Sequence, residues 1–164
     1  MTSDLTVTAT FQEGEIDPAD GPVFGLNGYY KIINRNSGLS VCVVDALTDN
    51  GTNIHQWEYL SNAYYDQQWA VQDAGNGYYT LINKKSGKSL DENGTNAIQY
   101  DYWGGANQMW VINDLGNGFY SILSAETGNA LTVASSSTSN GANVALSSYT
   151  GGSSQQFKQR IYQG

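Results

Sequence analysis

Gly77-Tyr78-Tyr79-Thr80-Leu81-Ile82, with Ser86-Gly87 just beyond it, is a phrase this chain writes three times. Gly28-Tyr29-Tyr30-Lys31-Ile32-Ile33 precedes Ser37-Gly38 at the same interval, and Gly118-Phe119-Tyr120-Ser121-Ile122-Leu123 precedes Thr127-Gly128. Val41, Leu90 and Leu131 follow each Gly, and then come Asn50-Gly51, Asn93-Gly94 and Asn140-Gly141, each with a further Asn at Asn53, Asn96 and Asn143. Every unit closes on Gln-x-aromatic: Gln67-Gln68-Trp69, Gln108-Met109-Trp110 and Gln155-Gln156-Phe157. Self-similarity at a fixed period of about forty residues means that one supersecondary unit is built repeatedly and packed against its copies.

Inside each unit the apolar residues alternate in short runs of β-branched and aromatic side chains bounded by Asn, Gly and Ser, the period of strands and not of helices. In the first unit the runs fall at 29–34, 39–44, 53–57 and 68–72. Three units of four predict an all-β chain of twelve strands with no helical segment. Closing such a sheet removes the unpaired edges that would otherwise invite aggregation. A WD-type propeller has units of this length, but it needs more than three blades and a Trp-Asp signature that the chain lacks.

The chain has 164 residues, enough for one core. Charged residues make up only 13% of it, which argues against long charge-laced helices. Seven Lys and Arg against fifteen Asp and Glu give a net charge of −8, a field that repels nucleic acid and acidic membrane surfaces. No apolar run approaches the roughly 18 residues of a spanning helix, so no membrane insertion is expected. The single cysteine, Cys42, excludes an intrachain disulfide. The first thirty residues lack a basic stretch followed by an apolar one, so localisation stays open between a cytoplasmic protein and a fragment of a secreted one.

Three closures of this kind, with Leu90-Asp91, Asn93-Gly94 and Gln99-Tyr100 ahead of one of them, make the chain resemble the ricin-B-type β-trefoil lectins, the group that includes family 13 carbohydrate-binding modules. The resemblance implies a β-trefoil: three four-stranded repeats with pseudo-threefold symmetry, forming a six-stranded barrel capped by three hairpins. It assigns 28–164 to the trefoil domain, with repeats at about 28–73, 77–114 and 118–162. It implies up to three shallow sugar sites, one per repeat, and ligands of galactose or N-acetylgalactosamine type, xylan and arabinan chains also being bound within the group.

Sugar recognition needs an aromatic face for the C–H side of a pyranose and planar carboxylates or amides that fix hydroxyl directions. The second repeat holds these parts together: Asp91 as hydroxyl-binding carboxylate, Tyr100 as stacking ring, Asn107 as amide and Gln108 as the glutamine of the motif. Its loop between Gly87 and Asn93 is six residues shorter than in the other repeats. In the first repeat Trp57 takes the stacking position, Asp66 the amide position and Gln67 the motif glutamine, with His55 two places before Trp57. The carboxylate position is Cys42, a weak donor, so Asp45 is expected to reach in from the loop. The third repeat has Thr132 and Ser147 at the corresponding places, with Tyr149 nearby, and is expected to be inactive or specific for something else. Trp69, Trp110 and Phe157 are expected in the core, their glutamines serving backbone groups.

Catalysis finds no motif. One His and one Cys assemble neither a hydrolase triad nor a His-based zinc site, and no phosphate loop is present. Asp91 and Glu92 are adjacent on a strand and face opposite ways, so they are not a glycosidase pair. No cofactor and no metal are expected. The expected function is a non-enzymatic lectin, with glycans or polysaccharide as partners. Two other readings stay open: a protein-binding trefoil such as a protease inhibitor, motivated by the degenerate third repeat and the aromatic stretch 62–65, and a polysaccharide-targeting module of a glycoside hydrolase. Residues 1–27 read either as an arm outside the fold or as an extra strand that pairs with the trefoil or with a second copy in a homodimer.

Overall fold

A computed structural model describes residues 28–61 and 63–161. The expectations for residues 1–27 and for Asn62 lie outside these. Twelve strands form in chain order: β1 Tyr29–Asn34, β2 Ser40–Val43, β3 Ile54–Trp57, β4 Trp69–Gly75, β5 Tyr78–Asn83, β6 Ser89–Asn93, β7 Asn96–Tyr100, β8 Trp110–Gly116, β9 Phe119–Ser124, β10 Ala130–Val133, β11 Val144–Ser147 and β12 Phe157–Ile161. Among the described residues the only helical elements are single 3₁₀ turns, so the all-β reading stands. The quoted phrases are β1, β5 and β9, the first strand of each repeat.

Six strands close a ring. β1 pairs with β4, β4 with β5, β5 with β8, β8 with β9, β9 with β12, and β12 with β1, all antiparallel. The other six form the hairpins β2–β3, β6–β7 and β10–β11 that cap one end. This is the β-trefoil. Asn76 and Asn117 adopt left-handed φ of 57° and 58° beside Gly77 and Gly118, the conformation that the tight turns from β4 to β5 and from β8 to β9 require.

The core follows the same threefold rule. Trp69, Trp110 and Phe157 are fully buried with Val41, Leu90 and Leu131 beside them. Each indole N–H of the two tryptophans donates to a hairpin carbonyl, Trp69 to Val41 at 2.9 Å and Trp110 to Leu90 at 3.3 Å. Under the cap, the three repeat-equivalent asparagines close a ring of amides: Asn53 donates to Asn143 at 2.6 Å, Asn143 to Asn96 at 2.9 Å, and Asn96 to Asn53 at 2.6 Å.

The short loop of the second repeat explains the breaks in this symmetry. Gln56 accepts from Ser37 and donates to the carbonyls of Ser137 and Ser139, while Gln99 accepts from Ser86 and donates to those of Leu47 and Asp49. Each thus holds a neighbouring repeat's loop. The second repeat has no such loop to hold, and the third glutamine position is the buried Leu146. Thr127, which replaces Ser37 and Ser86, donates instead to Glu92, as does Ser124. Glu92 is therefore a buried inter-repeat tie, and Asp91 beside it faces the other way.

Candidate functional site

The antiparallel register sets three positions of each candidate site. On the second strand stand Cys42, Asp91 and Thr132, directly opposite His55, Ile98 and Ala145 on the third. Two residues further on that third strand come Trp57, Tyr100 and Ser147, on the same face and diagonal to the first group. The fourth position is supplied by the 3₁₀ turns Tyr65–Gln67, Ala106–Gln108 and Ser153–Gln155, as Asp66, Asn107 and Ser154. Asn107 and Gln108 thus sit in the turn ahead of the fourth strand.

The motif glutamines are loop clamps. Their side-chain oxygens accept from the backbone N–H of Leu60, Trp103 and Thr150 at 2.9, 2.9 and 2.7 Å. Their amide nitrogens donate to the carbonyls of Glu58, Asp101 and Ser148 at 2.8, 2.9 and 2.9 Å. The loop between the third strand and the turn is two residues longer in the first repeat, where Trp57 is ten places from Gln67 and Tyr100 is eight from Gln108.

In the second repeat the four sequence-predicted residues come together. Asp91 is 4% exposed, and both its oxygens accept: Oδ1 from Asn107 and Oδ2 from Gln108, each at 3.0 Å. Burial raises its pKa above the usual carboxylate value, the two amide bonds oppose that, and Glu126 and Glu92 add to it. Tyr100 is 41% exposed on the same face. A residue that the sequence reading did not single out is Trp103, 65% exposed, whose ring lies over Gly105 next to Asn107. A side chain at Gly105 would overlap both. Nothing in the alternation marked Trp103; only the absence of a Cβ two residues on makes room for its ring.

The first repeat forms a cleft of about 280 Å³ whose walls include Asp45, His55, Trp57, Leu60, Tyr64 and Asp66. Tyr64 stands where the second repeat has Gly105, so each site carries two aromatic rings from different positions. Asp45 does reach in, from a left-handed backbone with φ 52° that Asp tolerates better than most residues. Asp66 is 7% exposed; burial raises its pKa, its own backbone N–H and the charge of Lys85 oppose this, and no other described residue hydrogen-bonds its carboxylate. The His55 ring packs against Trp57 at a tilt of 31° with centroids 5.7 Å apart, and burial lowers its pKa against the pull of Asp45. Cys42 lies behind them, its thiol pushed up to about 12 by burial and by Asp66.

The third repeat holds no carboxylate at these positions and its polar atoms satisfy one another. Thr132 Oγ1 lies 3.0 Å from Ser147 Oγ and donates to the Ala130 carbonyl at 2.7 Å, while Gln155 donates to Thr132 at 3.1 Å. Among the described residues no group of three His, Cys, Asp or Glu side chains is placed to hold a metal ion.

The profile of the family described as ricin-type beta-trefoil lectin domain-like matches the chain three times, at residues 23–100, 66–147 and 106–163. A designed threefold-symmetric protein, ThreeFoil, is 44% identical over 82% of this chain and 99% of its own, with a TM-score of 0.77. An exo-β-1,3-galactanase from Clostridium thermocellum is 35% identical over 85% of this chain, with a TM-score of 0.77, and the match spans 31% of the enzyme. The C-half of an earthworm R-type lectin, solved in complex with GalNAc, shares the fold at 15% identity and a TM-score of 0.68, over 82% of this chain and 98% of its own. No curated protein matches the chain.

Proposed function

Because the chain belongs to the ricin-type β-trefoil lectin domain-like family, we propose that it is a non-enzymatic carbohydrate-binding protein working through its first and second repeats. The observation that carries this is the second-repeat constellation: an exposed Tyr100 ring diagonal to a carboxylate whose two oxygens are fixed by Asn107 and Gln108. A carboxylate has about four acceptor positions, so two remain to take a pair of sugar hydroxyls in directions the amides have already set. Pre-ordering lowers the cost of binding. Trp57 with Asp45 and Asp66 supplies a ring and carboxylates in the first-repeat cleft, with His55 and Gln67 in support.

The proposed ligand is a galactose or N-acetylgalactosamine-type glycan, the likeness to the galactanase supporting a galactose-based chain. Single sites of this size bind weakly, and two on one frame raise the apparent affinity for a multivalent glycan. A second reading, attachment to a glycoside hydrolase as its polysaccharide-holding part, is favoured by the chain matching only 31% of that enzyme. A glycan array of animal-type and plant-polysaccharide ligands, run with the parent, Asp91→Ala and Trp57→Ala, tests the proposal. One sugar class whose signal falls in each variant is the expected result. Silence from folded protein would remove it, and retention on insoluble galactan alone would favour the second reading.

A further inference from the structure

The two candidate sites differ in the charge they leave uncompensated. In the second repeat two amides hold Asp91; in the first, Asp45 and Asp66 share one cleft and, among the described residues, only its own backbone N–H donates to the Asp66 carboxylate. No Lys or Arg lines the cleft, and the one imidazole there, His55, is biased by burial toward its neutral form. Lys85 acts on Asp66 only from outside the lining. Trp57 and Tyr64 complete the walls, and aromatic faces also attract cations. Two carboxylates, a neutral imidazole and two rings make a cation-seeking cleft. A sugar hydroxyl brings one donor and no charge, whereas an ammonium brings three donors and the opposite charge.

Resting on the reading of this chain as a sugar-binding protein, we infer that the first-repeat cleft selects a saccharide with a free amine, a 2-amino-2-deoxyhexose unit, whose ammonium the Asp45 and Asp66 carboxylates take while its ring rests on Trp57. N-acetylation removes the charge and two of the three donors, so the acetylated sugar loses the advantage. Uronic and sulfated sugars are repelled by the same carboxylates. The second-repeat site, with its one amide-bound carboxylate, gives no such preference.

The indole N–H signals of Trp57 and Trp103 report the two sites separately in one NMR titration, with the buried Trp69 and Trp110 as controls for the fold. Methyl 2-amino-2-deoxygalactoside should move the Trp57 signal with a Kd roughly tenfold below that of its N-acetyl form, a ratio that shrinks as salt is raised. The Trp103 signal should show no preference. Asp66→Asn should abolish the ratio, the two Kd values read at Trp57 in that variant becoming equal. Equal Kd values at Trp57, or a preference that survives in Asp66→Asn, would overturn the inference and leave the lectin reading intact. If no sugar moves either signal, the lectin reading itself fails and the inference falls with it.

Discussion

The second repeat ties its carboxylate to its own scaffold, whereas the first leaves two carboxylates facing an open cleft, although register, glutamine clamp and buried tryptophan are the same in both. The third uses its hydroxyls on one another. What each candidate site presents therefore follows from which residue stands at four equivalent positions on a common frame. Moving a carboxylate from the strand, as Asp91, to the turn, as Asp66, exchanges one held by two side-chain amides for one held by its own backbone N–H with Lys85 acting on it from a distance. Three similar frames thus present three different sets of side chains.

That separation of frame from site can be broken at the frame. Trp110→Ala removes a fully buried indole and its bond to Leu90, at a cost of about 3–5 kcal/mol, and chemical denaturation should show both sites lost in the same transition. Separate transitions would mean that the repeats are not one cooperative unit. Swapping the chemistry comes next. Cys42→Asp places a second carboxylate beside Asp66 at a position 2% exposed and should destabilise by about 2–4 kcal/mol. Adding Asp66→Asn rebuilds the Asp91–Asn107 pair and should recover most of the loss, a coupling that a double-mutant cycle measures. Additive losses would show that the two repeats are not equivalent frames.

A smaller effect separates clamp from acceptor. Gln108→Ala leaves the Trp103 N–H and the Asp101 carbonyl unclamped and frees one oxygen of Asp91, at about 1–3 kcal/mol, and should weaken second-repeat binding. Gln67→Ala should cost a similar amount of stability, because it clamps Leu60 and Glu58 in the same way, but it frees no aspartate. Gly105→Ala should barely change stability, since its φ of −74° suits any residue and the exposed Trp103 ring can swing away, yet it should displace that ring and disturb Asn107. Gly152→Ala, with Thr150 at an ordinary 3.6 Å from the added carbon, is its silent counterpart.

The trefoil was legible because its signal is periodic. The repeated phrases mark barrel strands, the Gln-x-aromatic closures mark clamp and core together, and the late Asn of each unit marks the amide ring. The candidate site positions were legible wherever they keep the repeat's spacing, as Asp91, Tyr100 and Trp57 do. Trp103 and Tyr64 were not, for different reasons. Counted from the third strand, the two extra residues of the first loop put Tyr64 seven places after Trp57 where Gly105 is five after Tyr100, and the packing of Trp103 over Gly105 depends on a missing Cβ that no pattern of polarity reveals. Leu146 reads as a lost glutamine, and its reason lies in another repeat, in the loop that is six residues too short to need holding.

The smallest effect, and the sharpest on the two aspartates, comes from pH. Burial is the largest cause acting on Asp91 and raises its pKa, so it takes up a proton, as pH falls, before an ordinary carboxylate does. Protonation removes acceptor capacity, and second-repeat sugar binding should weaken above the pH range where exposed carboxylates titrate. Stability should move the other way. A group whose folded pKa lies above its unfolded value binds protons more tightly in the folded state, so between the two values acidification relieves the cost of the buried charge. Taken as a difference from Asp91→Asn, which removes the titration, the parent should therefore gain stability while it loses second-repeat affinity. A parent that loses both relative to the variant would show that the Asn107 and Gln108 bonds outweigh burial and hold Asp91 ionised, leaving the two repeats closer in charge than their geometry implies.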